Sequence, residues 1–139
     1  MEIADVRKRL LHMIERAKRQ AAERRVRTDQ AAREFDTFLE TIAVPLFRQV
    51  ANSLRAESYL FNVFTPSGSV RLMSDRGADD YIEVSLDTSE EVPRVIGHSS
   101  RSRGSRVLES ERPIGAPGAL TEEDVLAFVL KELEAFVER

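Results

Sequence analysis

Residues 2–56 have the composition of one very long helix, and this stretch limits what the chain can fold into. Ala, Leu, Arg, Glu, Lys and Gln dominate it, and these residues lose little conformational entropy in a helix. An unbroken helix of this span would be roughly 80 Å long, whereas a domain of ~100 residues has a radius of gyration of only ~13 Å. The helix must therefore fold back on itself or extend beyond the body of the protein.

Apolar side chains recur along the first half of this helix at steps of three and four residues, which place them on one face. The stripe predicts a self-association surface formed by Ile3, Val6, Leu10, Met13, Ile14, Ala17 and Ala21. Because so apolar a stripe is unfavourable in contact with water, something must cover it. The cover is the chain's own core, a second copy or a different protein. We expect a homo-oligomer, with a dimer as the first hypothesis.

The apolar stripe thins in the middle of the long helix, where Val26 is its only large member. Thr28 or Asp29 could cap a new helix at this point. The pattern therefore predicts a break near residues 26–29.

A second irregularity is expected further along, because Pro45 cannot donate a backbone hydrogen bond and disfavours helical geometry at the residue before it. These properties predict a kink near residues 41–45. The chain length is typical of a single domain, residues 1–139. Within it, residues 1–27 would form a projecting helix or one arm of a hairpin, and residues 28–139 would form the compact body.

After residue 57 the pattern changes from helical to alternating, which is typical of β-strands. Five segments are predicted as strands: residues 58–65, 69–74, 80–87, 94–100 and 105–112. Connections of hairpin length predict an antiparallel meander. Both faces of the first segment are apolar, which favours a central position in the sheet. Gly97 indicates a bulge or a close approach of the backbone to another element.

A final helix is signalled by Thr121 as a cap and by Asp124 three residues later. Its apolar face is wide enough to lie on the sheet, so the sequence predicts an α+β fold with two layers. The predicted core consists of Phe38, Ile42, Phe47, Phe61, Val63, Ile82, Val84, Leu86, Leu126, Val129, Leu133 and Phe136.

Composition limits the classes of function. The chain is 42% hydrophobic and 32% charged, which is typical of a globular protein. It has no Cys, so disulfides, thiolate metal sites and a Cys nucleophile are excluded. No apolar run approaches the ~20 residues that span a bilayer, and the N-terminus lacks the apolar core of a signal peptide. We therefore expect a cytoplasmic protein that does not bind membranes.

The net charge of −3 hides an asymmetry between the two ends of the chain. Residues 1–34 hold ten Lys and Arg against six Asp and Glu and so carry +4, and the remaining residues carry −7. A basic helix beside an acidic body is found in nucleic-acid-binding proteins. The bases are nevertheless interrupted by acids, which is typical of a solvated helix with ion pairs along it. Nucleic acid therefore stays an alternative partner.

One predicted hairpin, residues 99–106, is rich in Arg and Ser. Arg forks, hydroxyl groups and exposed Gly backbone are what an anion or a phosphate group requires. The predicted anion-binding residues are Arg101, Arg103, Arg106, Ser102 and Gly104. The alternative is a solvated hairpin whose charges pair with nearby acids. No phosphate-binding loop with P-loop spacing occurs in the sequence.

No combination of residues predicts catalysis, a metal centre or a cofactor site. His12 and His98 are the only histidines, and neither has the neighbours in sequence that a metal site or a catalytic triad requires. The sequence therefore predicts a non-enzymatic protein–protein interaction or adaptor domain that self-associates through its N-terminal helix. The alternative is nucleic-acid or phosphate-ligand binding through that helix and the hairpin 99–106.

Overall fold

The long N-terminal helix is present in the computed structural model, which describes residues 1–138. Helix α1 runs without interruption over Ile3–Phe38, and a five-residue π-helical turn, Leu39–Ala43, joins it to α2, Val44–Ala56. The predicted break near residues 26–29 is therefore wrong. That region contains no Gly or Pro, and a nucleated helix gains one hydrogen bond for each residue that it adds.

The π-helical turn lies where Pro45 predicted a kink. The backbone N–H of Val44 donates to the carbonyl of Leu39, five residues earlier. Pro45 itself lies in the first turn of α2, where a missing N–H costs least. The irregularity thus accommodates the proline without ending the helix.

The predicted antiparallel meander is confirmed. Its strands are β1 Phe61–Phe64, β2 Ser69–Ser74, β3 Tyr81–Asp87, β4 Arg94–Arg103 and β5 Arg106–Gly115. They lie in the order of the sequence, and each pairs with the next.

Strand β1 lies at an edge of the sheet, so its predicted central position is wrong. It is also shorter than predicted, because residues 58–60 end α2 and connect it to the sheet. Ser58 has a positive φ of 68°, and the N–H of Tyr59 donates to the carbonyl of Leu54 over 2.8 Å. This is a helix C-terminal motif that only the three-dimensional path of the chain reveals.

The turn between β4 and β5 is tighter than predicted. Arg103 pairs with Arg106, so Gly104 and Ser105 form a two-residue turn, with Gly104 at a positive φ of 64°. Arg101 and Ser102 therefore lie on β4 rather than in a loop.

Helix α3, Glu122–Val137, begins with a capping box in which Thr121 and Asp124 exchange hydrogen bonds of 3.2 and 3.0 Å. It packs with the end of α1, the π-turn and α2 on one face of the sheet, which gives the predicted α+β class. Most predicted core residues are buried. Ile42, Val63, Leu86 and Leu126 are the exceptions, because they pack against the core while remaining partly exposed.

Candidate functional site

The N-terminal part of α1 extends beyond the body of the protein. None of residues 1–30 is buried, and the first buried positions of the helix are Ala31, Phe35 and Phe38. We call residues 3–30 the stalk, which is about 42 Å long at 1.5 Å per residue. Because α1 is continuous, the alternative of a helical hairpin is excluded.

The predicted self-association residues lie on the stalk and remain accessible. Ile3 is 87% exposed, and Leu10 is 50% exposed. Val6, Met13 and Ala17 are also exposed, and Ile14 and Ala21 are half-buried. The chain's own core therefore does not cover the stripe.

The stripe continues the face of α1 that packs on the body. At about 100° per residue, every predicted self-association residue falls within about 60° of the direction of Phe35. Phe35 is 2% exposed and belongs to the core. One apolar face thus runs along the whole helix: its C-terminal part is covered by the chain's own body, and its N-terminal part is open.

The charges of the stalk lie mainly around the rest of its circumference. Residues 3–30 hold nine Lys and Arg against four Asp and Glu. At the same angular step, Lys8 and Arg19 fall nearly opposite the stripe, whereas Arg24 falls within it. The bases therefore surround the apolar face and do not form a separate basic stripe.

A second candidate is an open cleft of about 620 Å³ at the end of the β4–β5 hairpin. Three arginines line it: Arg76, Arg101 and Arg103. Among residues 1–138, these three form no salt bridge. Ser102 and Gly104 line the cleft as well, whereas Arg106 does not.

Sequence reasoning missed Arg76 because it lies in the turn between β2 and β3, far along the chain from the hairpin 99–106. The register of β3 against β4, in which Tyr81 faces Ser100, brings this turn beside the hairpin. Strand register is a tertiary property, so spacing in the sequence carried no signal for it.

Buried Asp80 makes the cleft less favourable for an anion. It is 2% exposed, and its Oδ1 accepts hydrogen bonds from the backbone N–H of Ser102 at 2.7 Å and from the Ser102 hydroxyl at 3.1 Å. Ser102 thus has a structural partner, and the carboxylate, together with that of Glu138 in the wall of the cleft, partly offsets the charge of the arginines. The cleft retains guanidinium groups as its available donors.

The face of the sheet opposite the helices carries a row of interacting polar and aromatic side chains. Arg71 bonds Glu83 with both ends of its fork at 3.3 Å, and its guanidinium lies 4.0 Å from the centroid of the Tyr81 ring. His98 stacks on Tyr81 with ring centroids 5.6 Å apart. Arg71 and His98 approach the ring from the strands on either side, so its contacts lie within the sheet.

The carboxyl group of Asp87 belongs to the turn after β3, where hydrogen bonds lower its pKa. The hydroxyl and backbone N–H of Ser89 donate to it at 2.6 and 2.9 Å, and these bonds, aided by Arg94, lower its pKa. Because its pKa is lowered in the folded state, Asp87 contributes to folding stability above its unfolded-state pKa, and this contribution is lost as the pH falls through its folded-state pKa. The group therefore stabilises a turn and does not belong to the cleft.

Two further properties of residues 1–138 bear on function. No three His, Asp or Glu side chains gather closely enough to hold a metal ion. In the same residues, no helix combines the length and apolarity needed to cross a bilayer. No family model matches this chain, and no curated protein or solved structure matches it either.

Proposed function

We propose that this protein is a non-enzymatic interaction domain that self-associates through its stalk. The observation that supports the proposal most directly is the open apolar face of residues 3–21. Removing large apolar side chains from water yields about 1.5–3 kcal/mol each, so leaving several of them exposed on a helix is unfavourable. A partner that covers them stabilises the protein.

A second copy is the occupant that the composition of the chain favours. The stalk carries five more basic than acidic residues, whereas residues 35–139 carry −7, so each chain contains both members of a complementary pair. A two-fold arrangement repeats every contact, which doubles the apolar surface that one stalk buries. The doubled gain offsets the cost of association, about 4–15 kcal/mol.

We expect the wild-type chain to sediment as a dimer or larger species at micromolar concentration. The double substitution Leu10→Glu and Ile14→Glu places two charges within the stripe, and it should raise the dissociation constant at least about a hundredfold, which corresponds to about 2.8 kcal/mol. Sedimentation velocity across a concentration series measures the change. Circular dichroism should show that the variant remains folded, because neither side chain belongs to the core.

The matched control is His12→Glu with Val26→Glu, which adds the same charge away from the stripe. Val26 is 64% exposed and falls opposite Phe35 at the helical angular step. This control should associate as the wild type does. A wild-type chain that remains monomeric at high concentration would contradict self-association.

A second candidate function is the binding of a phosphate-type anion in the arginine cleft. It is supported by the three arginines that form no salt bridge within residues 1–138. A nucleic acid is a larger ligand of the same chemical type, and its phosphates would contact both the cleft and the basic stalk. The affinity of the protein for nucleic acid should then fall steeply with salt, since binding would release counterions.

The joint substitution of Arg76, Arg101 and Arg103 by Gln tests this candidate. Stability should change little, because Arg76 and Arg103 are exposed, Arg101 is only partly buried, and charges near the surface contribute only about 0–1 kcal/mol. Binding of inorganic phosphate or a short oligonucleotide, measured by calorimetry, should be lost. Arg106→Gln serves as the control, because it lies in the same hairpin outside the cleft. Equal binding by the triple variant and the wild type would remove the cleft from consideration.

A further inference from the structure

An apolar groove of about 480 Å³ lies between α2 and α3 on the outer surface of the helical layer. Its walls are formed mainly by Leu46, Val50 and Leu54 from α2 and by Leu126, Leu130 and Val137 from α3. Leu130 is 54% exposed and Val137 is 42% exposed. The body therefore has its own uncovered apolar surface, separate from the stalk.

We infer that this groove receives the stalk of a second copy, so that two chains exchange their N-terminal helices. The inference rests on the self-association proposed above and identifies the surface that the stalk contacts. In this arrangement the two uncovered apolar surfaces of each chain cover those of its partner.

The dimensions of the two surfaces agree. The whole stripe, from Ile3 to Ala21, extends over about 28 Å, and the sixteen residues of α3 extend over about 24 Å. A helix contact about 10 Å wide and 24 Å long, made twice, removes on the order of 1,000 Å² from water when both sides are counted. That area reaches the lower bound for a specific interface, about 1,000 Å².

The continuous apolar face of α1 fits a reciprocal exchange. The face that covers its own sheet near Phe35 points the same way along the stalk, so the stripe faces the sheet side of its own chain and can lie on a groove that opens away from the sheet of its partner. Helices α2 and α3 run in the same direction: the start of α3 lies near Phe38 across Leu120, and its end lies near β1, where Phe136 contacts Phe61. A two-fold exchange therefore sets each stalk antiparallel to both walls of the groove.

The charges favour this antiparallel direction. It brings Arg7, Lys8 and Arg9 towards the C-terminal ends of the partner's α2 and α3. Those ends carry the negative poles of two helix dipoles together with Glu57, which lines the groove, and Glu134, against Arg55 in the last turn of α2. Across α3 as a whole, five acids stand against Lys131. The parallel direction would bring the bases to the N-terminal ends of the same two helices, where Glu122, Glu123 and Asp124 also lie but the helix dipoles present their positive poles.

Two experiments test the groove. Leu130→Glu alters the groove and leaves the stalk intact, and it should raise the dissociation constant of the dimer at least about tenfold, as expected for a side chain at the centre of an interface. Val92→Glu is the control, because Val92 is 69% exposed in the loop after β3. Mixing Leu130→Glu chains with Leu10→Glu, Ile14→Glu chains should restore a heterodimer, since one intact stalk still meets one intact groove.

Cross-linking gives a readout that does not depend on a destabilising change. The chain contains no Cys, so introduced thiols react without competition. Chains with Leu10→Cys or Met13→Cys should form disulfides with Leu130→Cys chains under mild oxidation, whereas Val26→Cys chains should not.

The outcomes separate this inference from the self-association on which it rests. If the Leu10→Glu, Ile14→Glu variant dissociates while Leu130→Glu stays dimeric and the thiols do not cross-link, the groove is not the receptor and the stalks pair with one another. If the wild type is monomeric, both proposals fail. Cross-linking together with heterodimer rescue supports the exchange.

Discussion

Phe47→Ala should lower the free energy of unfolding by about 3–5 kcal/mol, the range for removing a buried Phe from a packed core. Phe47 is 0% exposed and lies on α2, inside the cluster that joins all three helices to the sheet. The substitution removes the burial of the ring and leaves a cavity that the surrounding helices and strands cannot fully close. Urea unfolding, followed by circular dichroism at one fixed protein concentration, measures the loss.

The concentration is fixed because the proposed dimerisation adds to the apparent stability of the folded chain. Repeating the measurement in the Leu10→Glu, Ile14→Glu background removes that contribution. Leu130→Ala is the matched comparison, since it truncates a half-exposed side chain of the same helical layer and should cost far less. A Phe47→Ala chain with an unchanged midpoint would show that α2 does not pack as described.

The elements of the fold were predictable because their signals are local. Alternation in residues 80–87 and the capping pair Thr121 and Asp124 specify a strand and a helix start without reference to the rest of the chain. The break expected near Thr28 and Asp29 failed for a related reason. Cap-forming residues show only where a helix is able to begin, and here the helix that was already formed continued through them.

The candidate sites were predictable only in part, because they depend on contacts between distant segments. The stripe from Ile3 to Ala21 is visible in the sequence, whereas its exposure follows from where the body ends, at Ala31. The position of Arg76 beside the hairpin follows from strand register. The groove beside Leu130 follows from the distance between α2 and α3, which cannot be predicted from a pattern of residues. In the sequence Leu130 belongs to an apolar helix face, and only the packing shows that it lies outside the core.

Gly97 illustrates a local signal whose meaning came from tertiary structure. A Gly inside a strand predicted a bulge or a close approach, and the structure contains both nearby. A register shift lies between Val95 and Ile96, and the ring of Phe128 lies against the Gly97 backbone. A Cβ atom at this position would be 2.4 Å from the Phe128 ring, closer than van der Waals contact permits.

Gly97→Ala should therefore destabilise the protein by about 1–3 kcal/mol, the usual cost of overpacking a core. In an open strand the same change would stabilise by roughly 0.5–1 kcal/mol, so the sign of the effect reports the contact with Phe128. Gly77→Ala is the control, because a Cβ atom there meets nothing within 4 Å, and its effect should stay within about 0.5 kcal/mol. Denaturant unfolding of both variants measures the difference.

Adding Phe128→Leu should relieve part of the cost of Gly97→Ala, so the two changes should be non-additive by about 0.5 kcal/mol or more. Additive effects would show that the aromatic ring is not what excludes a side chain at this position.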